Sequence, residues 1–156
     1  MLRVAASSCV IYNPDMHLSR HSDYSLRVLL YLAARPDERG TLSKIAAYFN
    51  ISHEHLRKVV HELGKAGFIN TFQGKGGGME LARPPDQINV GDVMARLEGA
   101  APLIDCAAIE CRLSPFCSLS NALAEAQKAF FESLGRHTLA DLISSKDMIR
   151  KLIAVE

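Results

Sequence analysis

Residues 41–82 read TLSKIAAYFNISHEHLRKVVHELGKAGFINTFQGKGGGMELA, and the pattern of this segment indicates the fold class. Apolar residues recur at helical spacing in two segments, which the tight connection Asn50–Ile51 separates, and Ser52 is a suitable N-cap for the second. Two segments of strand character, 68–72 and 79–82, then flank a glycine-rich turn. Helix, tight turn, helix and hairpin is the order of a winged helix-turn-helix.

One helix precedes this unit and others follow it. Ser22 is a suitable N-cap for a helix that runs through residues 24–34, with Asp23 in its first turn. Downstream, residues 88–98 predict a short helix, and one apolar stripe predicts a long helix over 119–136. The predicted fold is mainly α with a small β-hairpin: a winged helix-turn-helix domain plus a long C-terminal helix.

The predicted elements divide the chain into four parts. Residues 1–15 show no clear periodicity and are expected to be a leader, either disordered or a start that the native protein does not use; Cys9 in it is expected to be a free thiol. Residues 16–85 form the winged helix-turn-helix domain, and residues 86–118 a connecting helix with a cysteine-containing loop. Residues 119–156 form the long helix and the C-terminal tail.

Composition and charge favour a globular protein of the cytosol. The chain has 156 residues, 48% of them hydrophobic, and no apolar run approaches the roughly 18 residues that a membrane-spanning helix needs. Four cysteines do not indicate a secreted disulfide scaffold. Residues 1–83 carry eleven Lys and Arg against seven Asp and Glu, whereas residues 84–156 carry seven against ten. The N-terminal part therefore has the charge to contact nucleic acid.

Three cysteines lie close together at Cys106, Cys111 and Cys117. Pro102 before them and Pro115 among them disfavour a regular helix, so the sequence predicts a loop. Soft thiolates on one loop suit an iron-sulfur cluster or zinc. The alternative is three incidental thiols, with one disulfide among them. A site with four ligands needs one more ligand from elsewhere in the chain.

The helix after Ser52 carries the candidates for reading DNA, because in a helix-turn-helix the N-terminal residues of this helix meet the base edges in the major groove. Arg57 and Lys58 suit guanine edges or phosphates, and Glu54 can accept a hydrogen bond from cytosine. The alternative is a solvated face with ion pairs inside the helix. The candidates are Ser52, His53, Glu54, His55, Arg57 and Lys58.

The predicted hairpin tip, residues 73–78, is the second candidate for contact with DNA. Its glycines allow the backbone to approach phosphates, and Gln73 and Lys75 are the side chains to make the contacts. An ordinary turn that needs positive φ is the alternative. A nucleotide-binding loop is excluded, because the Gly-Lys-Ser/Thr ending and the helix that should follow it are missing.

Four motifs, in this order, resemble the bacterial iron-sulfur winged-helix transcriptional repressors: residues 16–27 (MHLSRHSDYSLR), the wing 74–78, the cysteine loop 106–117 and residues 138–142. The resemblance covers about residues 16–156, that is, nearly the whole chain. Four and then five residues between the cysteines match the nitric-oxide-sensing branch of the family. The iron-sulfur-assembly branch has a histidine ligand three residues after its third cysteine, where this chain has Ser120.

The resemblance implies that Cys106, Cys111 and Cys117 hold an iron-sulfur cluster, [4Fe-4S] in preference to [2Fe-2S], with Asp23 as the fourth ligand. It implies a cytoplasmic homodimer, without enzymatic activity and not attached to a membrane, whose long helices pack together. This dimer would bind a two-fold symmetric operator in double-stranded DNA. Nitric oxide as effector would damage the cluster and relieve repression of detoxification genes.

Three alternatives to this reading stay open. Within the same fold, the protein is a regulator of iron or iron-sulfur cluster supply that senses cluster occupancy. In other classes, it is an electron-transfer or radical enzyme, or an interaction module with structural zinc. The cysteine spacing matches neither the ferredoxin run nor a radical-enzyme pattern. Visible absorption separates zinc from a cluster, because zinc is colourless.

Overall fold

A computed structural model describes residues 18–99, 102–106, 108, 110–114 and 116–153. Within them the chain forms seven α-helices and one two-stranded antiparallel sheet, which confirms the predicted fold class. None of these helices is both long enough and apolar enough to cross a membrane. The predicted leader and Cys9 lie outside the described residues. In chain order the elements are α1 (Arg20–Ala33), α2 (Leu42–Phe49), α3 (His53–Lys65), β1 (Ile69–Phe72), β2 (Gly78–Leu81), α4 (Val90–Glu98), α5 (Ser118–Leu134), α6 (Leu139–Leu142) and α7 (Lys146–Ile153).

The start of α1 differs from the prediction. Ser19, not Ser22, is the N-cap: the Ser19 hydroxyl accepts a hydrogen bond from the backbone N–H of Ser22 at 3.1 Å. Ser22 lies one turn further on and is fully buried. Both serines suit a cap by residue type, and the packing that buries Ser22 decides between them. Asp23 remains in the first turn, as predicted.

The helix-turn-helix forms from local signals. Asn50 ends α2 in the left-handed conformation, with φ of 52°, and the Ser52 hydroxyl accepts a hydrogen bond from the backbone N–H of His55 to cap α3. Asparagine tolerates this conformation better than most residues, which is why the turn can be so short. Leu56 and Leu63 on the inner face of α3 are fully buried against α1 and α2. The opposite face of α3 is therefore turned outward.

The hairpin is held to the rest of the domain by its core side chains Ile69 and Met79 and by backbone hydrogen bonds from its second strand. Phe72 pairs with Gly78 next to the tip, and Ile69 pairs with Leu81 at the base. Met79 exchanges two backbone hydrogen bonds with Gly40, of 2.8 and 2.9 Å, from the loop after α1. The wing is thus fixed to the α1–α2 loop, while its tip extends beyond this attachment.

Helix α4 and the end of α5 are joined closely. The Asn89 side-chain amide donates to the carbonyl of Gly135 at 2.6 Å, and its oxygen accepts from the N–H of Asp92 to cap α4. Backbone hydrogen bonds also connect residues 88 and 90 to residues 139 and 137. These contacts anchor both helices that border the cysteine loop.

Replacing Gly91 by Ala should loosen this junction. A Cβ at Gly91 would lie 2.7 Å from the N and 2.8 Å from the Cα of Gly135, and 2.8 Å from the carbonyl oxygen of Phe131. These are backbone atoms, so α5 must shift, and overpacking of this kind costs about 1–3 kcal/mol of unfolding free energy. Urea unfolding measures it.

Gly64→Ala in α3 is the matched control, because a Cβ there meets nothing within 4 Å. We expect it to leave the unfolding free energy unchanged or to raise it by roughly 0.5–1 kcal/mol. Equal losses in the two variants would contradict the tight α4–α5 contact.

Candidate nucleic-acid interface and cysteine loop

The outward face of α3 carries all six residues that the sequence predicted to read DNA. Ser52, at the N-cap, and the five predicted residues in the helix are exposed, while Leu56, Val59 and Leu63 hold the opposite face in the core. A helix presented in this way can enter a major groove with its N-terminal turns first.

Charges on this face are partly paired. Lys58 Nζ lies 3.4 Å from Glu54 Oε1, an exposed i,i+4 ion pair, so the alternative of a salt-bridged surface holds for these two residues. Among the described residues no ion pair forms between Glu54 and Arg57. Arg57 therefore keeps its donors available for a base edge.

His55 is partly engaged within the domain. Its Nδ1 lies 2.9 Å from the Ser52 hydroxyl, and its ring is 6.4 Å from the ring of Tyr24 in α1. These contacts set the position of His55 at the start of the recognition helix. The other predicted histidine, His53, is the first residue of α3 and is exposed.

The wing tip has the geometry of a tight turn closed by a hydrogen bond of 2.9 Å from the N–H of Gly77 to the carbonyl of Gly74. Gly74 and Gly76 have φ of 88° and 82°, which other residues rarely adopt. The predicted need for positive φ is therefore confirmed. Gln73 and Lys75 are both exposed, and Lys75 lies within the turn.

Sequence reasoning missed Arg39, in the loop between α1 and α2. Its guanidinium carbon lies 3.7 Å from the centroid of the Phe72 ring, and its Nε donates to Glu80 Oε2 at 3.2 Å. Phe72 and Glu80 belong to β1 and β2, so Arg39 touches both strands of the wing. No local signal could have found it, because the contact joins residues far apart in the chain.

Between α4 and α5, the loop places Cys106, Cys111 and Cys117 in half-buried positions as free thiols, and no disulfide joins these three in the described residues. Its backbone hydrogen bonds are local: the N–H of Cys111 donates to the carbonyl of Cys106 at 3.1 Å, and that of Ser114 to the carbonyl of Cys111 at 3.1 Å. Glu110 has φ of 47°, which turns the chain between the first two cysteines.

In the parts of the chain that the structure describes, no three His, Cys, Asp or Glu side chains are grouped as a metal site. The donor chemistry nevertheless fits an iron-sulfur cluster. Three half-buried thiols on one short loop are soft ligands of the kind such clusters take. They provide three ligands and leave a fourth to be supplied.

Asp23, the predicted fourth ligand, lies on α1 and not in the cysteine loop. Both of its carboxylate oxygens accept from Arg27 Nε, at 2.9 and 3.0 Å, in an exposed i,i+4 ion pair. Exposed pairs of this kind contribute little, about 0.3–0.5 kcal/mol. The Asp23 carboxylate can therefore exchange Arg27 for another partner at small cost.

Glu98 connects the end of α4 to the N-terminus of α1. Its Oε1 accepts a hydrogen bond from the backbone N–H of Ser19 at 3.2 Å. Hydrogen bonds from the Ser22 side chain and then from Ser19 hold the pKa of the Glu98 carboxyl below its ordinary value. The entrance of the cysteine loop is thereby attached to the helix turn that carries Asp23.

The chain matches one family model over residues 18–145, described as "Rrf2: Iron-dependent Transcriptional regulator". It is similar to several proteins named "HTH-type transcriptional regulator NsrR". That of Halalkalibacterium halodurans is 41% identical over 145 residues, which covers 90% of this chain and 99% of that protein. That of Geobacillus kaustophilus is 44% identical over 142 residues, 88% of this chain and 97% of that protein.

The chain is also similar to solved structures of bacterial regulators. CymR, described as the global cysteine regulator of B. subtilis, superposes with a TM-score of 0.69 at 28% identity, over 83% of this chain and 97% of that one. IscR of T. potens gives a TM-score of 0.68 at 28% identity, over 83% and 87% of the two chains.

Proposed function

The chain belongs to the Rrf2 family of transcriptional regulators, DNA-binding proteins and not enzymes, and from this premise we propose that it is an iron-sulfur-dependent repressor that senses nitric oxide. The observation that carries the proposal is the three free, half-buried thiols on the loop between α4 and α5. We place the protein in the cytoplasm, where thiols stay reduced.

In the proposed complex two elements contact the DNA. The exposed face of α3 enters the major groove with Arg57 at a base edge, and the wing tip brings Lys75 to the phosphates. An anionic Glu54 on the same face pairs with Lys58, which limits its repulsion from the DNA backbone. This arrangement separates base reading from backbone contact.

A homodimer accounts for the state of α5. None of its side chains is buried, and the apolar side chains of Leu119 and Phe130 are 61% and 44% exposed. Along the predicted apolar stripe, Leu123 and Leu134 are half-buried, whereas Leu119, Ala126 and Phe130 are exposed in the described chain. In the proposed dimer the two copies of α5 cover each other, which sets the separation of two recognition helices on a two-fold operator, about 34 Å for one turn of DNA.

Cluster ligation would act on DNA binding through the cysteine loop. An iron-sulfur cluster, [4Fe-4S] in preference to [2Fe-2S], would be held by the three cysteines, and its iron would supply the reactivity towards nitric oxide on which the proposed sensing depends. Cys106, Cys111 and Cys117 hold the loop in one conformation while they ligate, and α4 and α5 border this loop directly. Glu98 connects the same loop to α1, in the DNA-binding domain.

Operator binding by three preparations of the full-length protein tests the proposal: anaerobically loaded, cluster-free and nitric-oxide-treated. We expect tight binding by the loaded protein and binding at least about tenfold weaker by the others, a free-energy difference of about 1.4 kcal/mol or more. Equal binding by all three would refute it. A response to iron starvation but not to nitric oxide would instead favour a regulator of cluster supply.

Replacing Asp23 by Ala tests the proposed fourth ligand. A hard carboxylate among soft thiolates should bind weakly, so the variant should keep a cluster on three cysteines but show an altered visible spectrum and altered operator binding. Arg27→Ala is the matched control, because it removes the ion pair and leaves the carboxylate. If Asp23→Ala equals the wild type in spectrum, operator affinity and nitric-oxide kinetics, Asp23 is only an acid in a first helical turn.

A further inference from the structure

Arg39 contacts both strands of the wing. Its guanidinium stacks on Phe72 of β1 and donates to Glu80 of β2. Its Cβ would lie 3.1 Å from a Cβ placed on Gly78, so side chain and strand approach closely. Gly40, the next residue, makes the two backbone hydrogen bonds to Met79.

We propose that Arg39 is a positioning residue for DNA binding, which holds the wing at the angle that brings Lys75 to the DNA backbone. The hairpin has only two short strands, and a two-stranded hairpin is marginally stable by itself. The core side chains Ile69 and Met79 hold the hairpin in the domain, and the α1–α2 loop is hydrogen-bonded to its second strand. Arg39 of that loop adds contacts to both strands outside the core, through Phe72 and Glu80.

The charges of the wing are the reason why its position affects DNA binding. Residues 69–81 contain one cation, Lys75, and one anion, Glu80. The Arg39 ion pair neutralises Glu80, which would otherwise repel phosphates near the tip. A planar guanidinium can stack on a ring and pair with a carboxylate at once, whereas a lysine ammonium lacks the plane and the Nε–H.

The stacking geometry distinguishes positioning from a simple charge effect. Arg39→Lys keeps the positive charge but loses the stack and the Nε hydrogen bond, so a positioning role predicts that it resembles Arg39→Ala. Glu80→Gln removes the negative charge and keeps an oxygen for Nε–H. We therefore expect it to bind DNA at least as well as the wild type.

Operator affinity of the full-length dimer measures these effects, with a DNA fragment that the wild type selects from a random pool. We expect Arg39→Ala and Arg39→Lys each to weaken binding by about tenfold, with an unchanged unfolding midpoint. In the otherwise wild-type protein, Lys75→Ala should weaken operator binding and reduce its salt dependence. In the Arg39→Ala background, Lys75→Ala should change operator affinity by less than about twofold, because a misplaced wing no longer reaches a phosphate.

Three outcomes would overturn the inference. Wild-type affinity in Arg39→Lys would mean that charge alone suffices. Full recovery in Arg39→Ala combined with Glu80→Gln would mean that Arg39 only neutralises Glu80. Additive effects of Arg39→Ala and Lys75→Ala would mean that the wing keeps its position without Arg39. None of these depends on nitric-oxide sensing, so failure here and failure of the proposed function are distinguishable.

Discussion

Replacing any one of Cys106, Cys111 and Cys117 by Ala should abolish cluster binding. All three sit on one loop as free thiols, and removal of one leaves two thiolates, too few to hold a cluster against exchange with small thiols. Anaerobic reconstitution followed by visible absorption and native mass spectrometry measures the loss. We expect each variant to be colourless and to carry no cluster mass.

Cys9→Ala is the control for this experiment, because Cys9 lies outside the described residues and is predicted to be a free thiol. It should retain the colour and mass of the wild type. A cluster lost with Cys9→Ala would show that the N-terminal segment supplies a ligand. Colourless wild-type protein with bound zinc would refute the iron-sulfur proposal and favour a structural metal site.

The cysteine variants should also bind the operator as weakly as cluster-free wild-type protein does. This is expected because ligation, in the proposed mechanism, fixes the loop between α4 and α5, and both helices are anchored to each other through Asn89 and Gly135. A variant without a cluster that still binds the operator at full affinity would separate cluster binding from DNA binding.

Replacing Arg57 by Ala should weaken specific DNA binding by about 1–3 kcal/mol, or roughly 5- to 150-fold, and relax the preference at one base pair. Arg57 is exposed on α3, and among the described residues Glu54 pairs with Lys58 and not with Arg57. Fluorescence anisotropy with the selected operator and with single-base variants of it measures both effects.

Replacement of two lysines, one in the wing and one at the end of α3, distinguishes phosphate contact from base recognition. Lys75→Ala should weaken binding to all sequences alike and reduce the slope of log affinity against log salt by about one, as the loss of one phosphate contact does. Lys65, in the last turn of α3, is the matched control, and its replacement should have little effect. A change of sequence preference in Lys75→Ala without a change in slope would contradict the assigned role of the wing.

Residue types along the chain were enough to predict the helix-turn-helix, the hairpin and the exposed positions of α3 and the wing tip. The signals are local: Asn50 adopts the left-handed conformation that the three-residue connection between α2 and α3 needs, and Ser52, the last residue of that connection, caps α3. The spacing of Leu56, Val59 and Leu63 directs one side of α3 into the core, so Arg57 and Lys58 must be outside.

Only the tertiary structure decided how these pieces are attached to each other. In the packed chain Ser19, and not Ser22, caps α1. Glu98 accepts a hydrogen bond from Ser19, 79 residues away, and Arg39 contacts both strands of the wing. Hydrogen bonds and ion pairs between such distant residues depend on the packed positions of whole helices, and residue types along the chain carry no sign of them. Periodicity and capping act over one or two helical turns, which is why local structure was predictable and these contacts were not.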